Sequence, residues 1–191
     1  MRANVPSLAI VALWLCWIAA WAAAALATKP SARREPMLSR LLHLGPLALA
    51  VLLLWGPEPP VEALRARFVP PSIAIGWSGA ALVAAGLAFT VWARVHLGTN
   101  WSGIVTVKRG HELVTSGPYA IVRHPIYTGL VLAFFGSALA LGEARGVLAV
   151  AIVFASLWRK LRLEERWMGE QFGADYERYR ARVRALVPFV L

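Results

Sequence analysis

The chain has 191 residues, of which 59% are hydrophobic and 16% charged, and a formal charge of +10; soluble domains average roughly 45–50% apolar and about 25% charged residues. Apolar runs of about 18 residues exclude a soluble globular protein. A single cysteine, Cys16, excludes internal disulfides and a Cys-rich metal site.

In chain order, Leu8–Ala27, Leu38–Trp55 and Ser72–Trp92 read as membrane spans, the third diluted by Gly76, Ser78, Gly79 and Gly86. Arg2 and the alanines at 22–25 also fit a signal peptide. The apolar stretch is long for one, and its removal would strand a basic segment outside, so an uncleaved span is expected. Prolines 57, 59, 60, 70 and 71 bracket a loop with a short amphipathic piece, Val61, Leu64 and Phe68. Ile126–Leu141 and Gly146–Trp158 are shorter spans joined by a tight turn, Gly142-Glu143-Ala144-Arg145, and predict a helical hairpin.

The fold class expected is therefore all-α: a polytopic membrane protein with about five transmembrane helices, a structured cytoplasmic loop and a C-terminal amphipathic helix. It forms a single integral membrane domain over 1–191, with three spans in 1–92 and the loop, hairpin and C-terminal helix in 93–191.

Charge placement sets the expected orientation and argues against nucleic acid as the partner. Segments 28–40, 93–124 and the tail from Arg159 hold 16 of the 20 Lys and Arg, a positive-inside pattern. It puts the N-terminus outside and the long polar segments and tail in the cytoplasm, in the cell inner membrane. The polar stretch 94–123 is too long for a bare connection. Trp101, Ile104, Val105, Val107, Leu113, Val114 and Tyr119 alternate there with polar residues, which predicts order. From Glu164 onward, Trp167, Met168, Phe172, Tyr176, Tyr179, Val183 and Leu186 recur at helical spacing, with Gly173 as a break.

No dinucleotide fingerprint, phosphate loop or His-Glu-x-x-His is present. His43, His96, His111 and His124 lack metal-ligand spacing, so no metal site is expected. His43 reads as an interfacial or packing residue, and His96 stays open between packing and a site role. His111 and His124 flank one compact segment. Pro125 suits the first turn of a helix, which puts His124 at the N-cap and Tyr127 beside unpaired backbone donors that can receive an anion. The plainer alternative is a Pro-initiated span whose His and Tyr anchor at the interface. In Arg159–Arg166, Lys160 and Glu164 share a helix face, and the adjacent carboxylates Glu164 and Glu165 suit a ligand carrying an ammonium and hydroxyls. Snorkelling cations with a helix-stabilising pair would give the same pattern. A hairpin would bring both constellations to one cytoplasmic level.

Those two segments resemble the isoprenylcysteine carboxyl methyltransferase family and its prokaryotic relatives, membrane methyltransferases that use S-adenosylmethionine. The likeness covers about half the chain, from Leu97-Gly98-Thr99-Asn100-Trp101-Ser102 through His111–Gly129 to Glu164-Glu165 and Phe172–Tyr179. It implies that His111, Leu113, Val114 and Tyr119 line the cofactor pocket, that His124, Pro125, Ile126 and Tyr127 continue it, and that Glu164, with Glu165 beside it, holds the polar end of the cofactor. Eukaryotic members carry an Arg for the substrate carboxylate four residues before that Glu. Here the position is Lys160, with Arg162 nearby, and a Lys keeps the charge without the bidentate fork. The resemblance implies methyl transfer to a membrane-embedded or lipid-like substrate, most simply a carboxylate, with S-adenosylhomocysteine as product. The alternatives are a phospholipid N-methyltransferase, an NADPH-dependent membrane reductase of similar architecture, and a non-enzymatic membrane protein.

Overall fold

The structure, a computed structural model, describes residues 5–25, 37–98 and 113–188. The order expected for the polar stretch concerns mostly 99–112, which with His111 lies outside the described residues. The elements are α1 (Val5–Ala25), α2 (Met37–Trp55), the single turn α3 (Glu62–Arg65), α4 (Ile73–Leu97), a 3-10 turn (Gly117–Ala120), α5 (Pro125–Leu141), α6 (Ala144–Phe172) and α7 (Ala174–Arg182).

Three described helices, α1, α2 and α4, are long and apolar enough to cross a membrane, against the five spans expected. The difference lies in the hairpin. α5 is apolar but has 17 residues. α6 is a continuous 29-residue helix that becomes polar beyond Trp158. Arg159-Lys160-Leu161-Arg162-Leu163 contains no helix breaker, so the expected fifth span and the expected start of the tail helix fuse into one rod about 43 Å long. The turn before it shrinks to Gly142-Glu143. Gly173, the break expected in the tail, has φ 51° and ends α6, and the nine-residue α7 follows.

The five long helices group their ends in two layers. At one end Arg94 on α4 donates to Ala24 O on α1 (2.8 Å), and Arg159 on α6 donates to Ser39 O on α2 (2.7 Å). At the other, Phe68 N donates to Gly142 O (3.1 Å) and Ala144 N to Ala66 O (2.8 Å), which ties the 56–72 loop to the α5–α6 turn. Indole donors fasten α1 internally: Trp17 to Thr90 on α4 (2.6 Å) and Trp14 to Ser137 on α5 (3.1 Å).

α4 and α5 form the tightest contact. Gly79 faces Gly136 and Gly86 faces Gly129, seven residues apart on each antiparallel helix. A Cβ at Gly79 or Gly86 would lie 2.5 Å from the carbonyl oxygen of its partner. Lipid gives apolar helices little hydrophobic reason to associate, so close backbone approach over small residues has to supply the attraction. Gly86→Ala or Gly136→Ala should therefore destabilise the protein by about 1–3 kcal/mol, read as a lower thermal unfolding midpoint in detergent. Gly45→Ala, where a Cβ meets nothing within 4 Å, should leave the midpoint in place or raise it.

Candidate active site

Pro125 opens α5 and leaves His124 at the N-cap with φ −125° and ψ 62°. The His124 and Tyr127 rings lie parallel within 4°, centroids 5.4 Å apart. From α6, Glu164 Oε1 accepts the Tyr127 hydroxyl at 2.5 Å. His124 Nδ1 is 3.6 Å from Glu164 Oε2, and Nε2 is 3.4 Å from Glu165 Oε1. Nε2 is buried and has no aligned hydrogen bond. Arg123 donates to Glu165 Oε1 through Nε (2.8 Å) and Nη2 (2.5 Å). The two constellations expected to converge thus share one polar cluster at the same end of the bundle.

The Glu pair divides. Glu165 has a side chain 10% exposed and is enclosed by Arg123, His124 and Arg180, whereas Glu164 is 26% exposed and keeps an open edge. Adjacent residues on a helix point about 100° apart, so one carboxylate locks the cluster while the other faces the site.

The C-terminal segment closes over the entrance of α5. Arg123 N donates to Arg184 O (2.7 Å), and His124 N donates to Ala185 O (3.0 Å). Thr128 Oγ1 donates to Leu186 O (2.7 Å), and Arg123 Nη1 donates to Val183 O. The backbone donor of His124, at the N-cap, is thus filled by the chain itself. Tyr179 OH, donating to Tyr119 O at 2.6 Å, fastens α7 under the 3-10 turn.

Burial opposes charge on His124, but contact with Glu164 and Glu165 outweighs it and raises its pKa above 6.5. Burial likewise opposes ionisation of Glu164, yet His124, the Lys160 charge and the Tyr127 hydroxyl hold it below 4.5. Glu165 is pulled down to about 2 by His124 and Arg123 against the same burial. Burial pushes the Tyr119, Tyr176 and Tyr179 phenols well above their usual range, so they stay protonated.

Lys160 is buried at 8% exposure, its Nζ 5.7 Å from the centroid of the Tyr127 ring; it does not snorkel. Arg162 lies on the exposed side of α6, away from this cluster. Pro125 is fully buried, and Ile126 packs against the apolar core. Leu113 and Val114 are half-buried at the start of the described segment. Tyr119 is buried beside His96, whose ring stacks on it at 6.4 Å and bonds Ser116 Oγ at 2.9 Å. Gly117 makes this approach feasible, since a Cβ there would sit 2.7 Å from the His96 ring.

Sequence reading included Arg123 in the segment 111–129 without giving it a partner, and it did not single out Ser156 or the carbonyls at 183–186. His43, read as an interfacial or packing residue, packs α2 on α6 with its ring Nδ1 2.9 Å from Ser156 Oγ, one turn from Lys160. The spacing Ser156, Lys160, Glu164 was the available signal: three polar residues four apart form a stripe on one face.

Linkage gives a sign for each charged group. Glu165, lowered from 4.5 to about 2, contributes stability above pH 4.5 that is lost as pH falls toward 2. His124, raised from 6.5, contributes below pH 6.5 and loses its share as pH rises through its folded value. The gap in unfolding midpoint between the unmodified protein and Glu165→Gln should be widest between pH 4.5 and 6.5 and shrink on either side. A gap independent of pH would contradict this electrostatic assignment.

The region that holds these residues is similar to known proteins. A family profile described as phospholipid methyltransferase matches residues 74–175. The protein-S-isoprenylcysteine O-methyltransferase of Schizosaccharomyces pombe is 36% identical over 104 residues, covering 51% of this chain and 43% of that protein. Its B counterpart in Arabidopsis thaliana is 33% identical over 104 residues, 51% of each chain. Methanethiol S-methyltransferase 1 of Bradyrhizobium diazoefficiens is 35% identical over 71 residues, 37% of this chain and 24% of that one. The chain spans about half the length of the isoprenylcysteine relatives it matches. The matched region runs from α4 through α5 and α6 to the first residues of α7, more than half of the sequence and all of the Tyr127–Glu164 contact, and the chain belongs to the phospholipid methyltransferase family.

Proposed function

We propose that this protein is an S-adenosylmethionine-dependent methyltransferase whose acceptor is a lipid-like carboxylate, with the site facing the cytoplasm. The observation that carries the reading is the hydrogen bond from Tyr127 to Glu164 at 2.5 Å, with the buried Lys160 ammonium over the same ring. Carboxylate and ammonium stand side by side at one helix level, as a cationic donor and an anionic acceptor require.

The residues present fit the donor. Glu164 offers an ionised, partly open carboxylate for an ammonium, steadied by Tyr127 and His124. His124 Nε2 lies on the other side, 3.4 Å from Glu165 Oε1, so the open edge of Glu164 is the group left to meet the ammonium. When bound, the donor would supply a methyl group activated by a sulfonium. This chain's residues then have two tasks. Glu164, Tyr127 and His124 hold and orient; Lys160 steers the acceptor oxygen into line, which is the principal way a site accelerates such a displacement. No general base is needed, because a carboxylate is already ionised at neutral pH. A buried cation at the acceptor side disfavours a protonated amine, which favours carboxylate over phospholipid amine. The basic residues at the site end of the bundle, Arg94, Arg123, Arg159, Lys160 and Arg162, support the cytoplasmic orientation.

Purified protein should bind S-adenosylhomocysteine in a calorimetric titration. Glu164→Ala and Tyr127→Phe should each weaken that binding about tenfold, as for loss of one charge-assisted hydrogen bond. Unchanged affinity in both would remove the site assignment. With membrane lipid extract and labelled donor, the product should release its label in mild base, as methyl esters do; a base-stable product would identify a methylamine and overturn the carboxylate reading.

A further inference from the structure

The exposed side of α6 changes character along its length. In the apolar half, Val147, Leu148, Ala151 and Ala155 are exposed, and they form one stripe because residues three and four apart share a helix face. This half packs along α2, a helix of membrane-crossing length, so the stripe meets lipid. Continued at the same spacing past the half-buried Trp158, the stripe becomes Arg162 and Arg166, both exposed. Lys160 and Glu164 point the other way, since residues two apart on a helix are separated by about 200°. The two arginines therefore lie on the back of the turn that carries the candidate site.

The contact of α6 with α2 gives their height. Arg159 donates to Ser39 Oγ (3.1 Å) and Ser39 O (2.7 Å) in the first turn of α2, so the edge of the apolar layer crosses α6 near Arg159. Arg162 is about 5 Å and Arg166 about 10 Å further along the axis. The headgroup layer of a bilayer is about 5–7 Å deep on each side. Helix side chains lean toward the N-terminus, which on α6 is back toward the lipid, so both guanidinium groups reach the depth of the phosphates. Neither makes a hydrogen bond or ion pair with another described residue. Glu165 is turned in on Arg123 and His124, and Glu170, a turn beyond Arg166, is the first carboxylate on the stripe.

We propose that Arg162 and Arg166 clamp the phosphate of an anionic phospholipid on the lipid-facing flank of α6. Side chains one turn apart have Cβ atoms about 6 Å from each other, close enough for two guanidinium forks to converge on one phosphodiester. The headgroup carries no cation of its own, because a choline or ethanolamine would set an ammonium beside two guanidinium groups. Phosphatidylglycerol has the required chemistry. The inference goes beyond the methyltransferase reading and does not need it; the registry of α6 against α2 and the charge of one helix face are enough. It also gives Arg162 a partner outside the polar cluster.

The test is the lipid selectivity of the full-length protein in phosphatidylcholine bilayers. Electron paramagnetic resonance reads it as the fraction of spin-labelled phosphatidylglycerol, or of spin-labelled phosphatidylcholine, immobilised at the protein. The unmodified protein should prefer phosphatidylglycerol about fivefold or more, roughly the factor that one cation near an anionic headgroup supplies. Arg162→Gln combined with Arg166→Gln should bring the two lipids close to parity. Arg178→Gln combined with Arg182→Gln removes the same formal charge from α7 and should keep the preference. Arg162→Lys with Arg166→Lys retains charge without the fork and should give an intermediate value. Equal immobilisation of the two lipids by the unmodified protein would overturn the proposal. So would a loss as large in the α7 pair as in the α6 pair, or full retention by the lysine pair, since either would mean diffuse attraction in place of a clamp. Inorganic phosphate in the buffer should leave the preference intact; displacement by it would identify a free-anion site and overturn the lipid assignment.

Discussion

The charge pair between Arg123 and Glu165 is the interaction on which the polar end of this molecule depends. Both side chains are almost wholly withdrawn from water, at 8% and 10% exposure. Isolated, either charge would be severely penalised there; paired, with the remaining donors of Arg123 filled by the carbonyls of Arg180 and Val183, they are satisfied. Three elements distant in sequence meet in this contact: the entrance of α5, the outer half of α6 and the segment after α7. Removing either partner would strand a buried charge, so the pair fixes a unique arrangement even if its net contribution to stability is small. That rigidity is what lets Glu164 and Tyr127 meet at a fixed distance.

Below this layer a different physics holds the helices. The α4–α5 seam has no side chains to interdigitate at its closest points, only backbone against backbone at two glycine pairs. In lipid such proximity replaces the hydrophobic drive available in water. The indole hydrogen bonds from Trp14 and Trp17 then attach α1 to this pair, and α2 joins through α6. The consequence for the site is positional. α5 is held by α4 along its length, and α6 is long enough to run past the apolar layer, so the His124–Tyr127 rings and the Glu164 carboxylate stay at one height.

How much of this could be read from residues alone follows from what each feature depends on. The bounds of α1, α2 and α4 follow apolar composition, and they end within a few residues of where composition ends, except for α4, which continues as far as Leu97. The continuity of α6 was hidden because a count of apolar residues stops at Arg159 while the helix does not. Convergence of the two constellations was legible, since a hairpin alone puts them at one level. The division of labour between Glu164 and Glu165 was not, because it turns on the rotation of α6 about its own axis. The capping of α5 by residues 183–186 also left no local trace; any backbone carbonyl could have served. The contact of His43 with Ser156 depends on how α2 sits against α6, which no periodicity encodes.

One feature, the cap of the α5 amino end by carbonyls about sixty residues downstream, has a consequence for biogenesis. A ribosome delivers α4, α5 and α6 in order. The groups that complete the α5 entrance, residues 183–186, are synthesised after all of α6 and α7. Completion of this polar cluster is therefore a late event, and a nascent chain stalled after α6 would lack the carbonyls that close the α5 entrance.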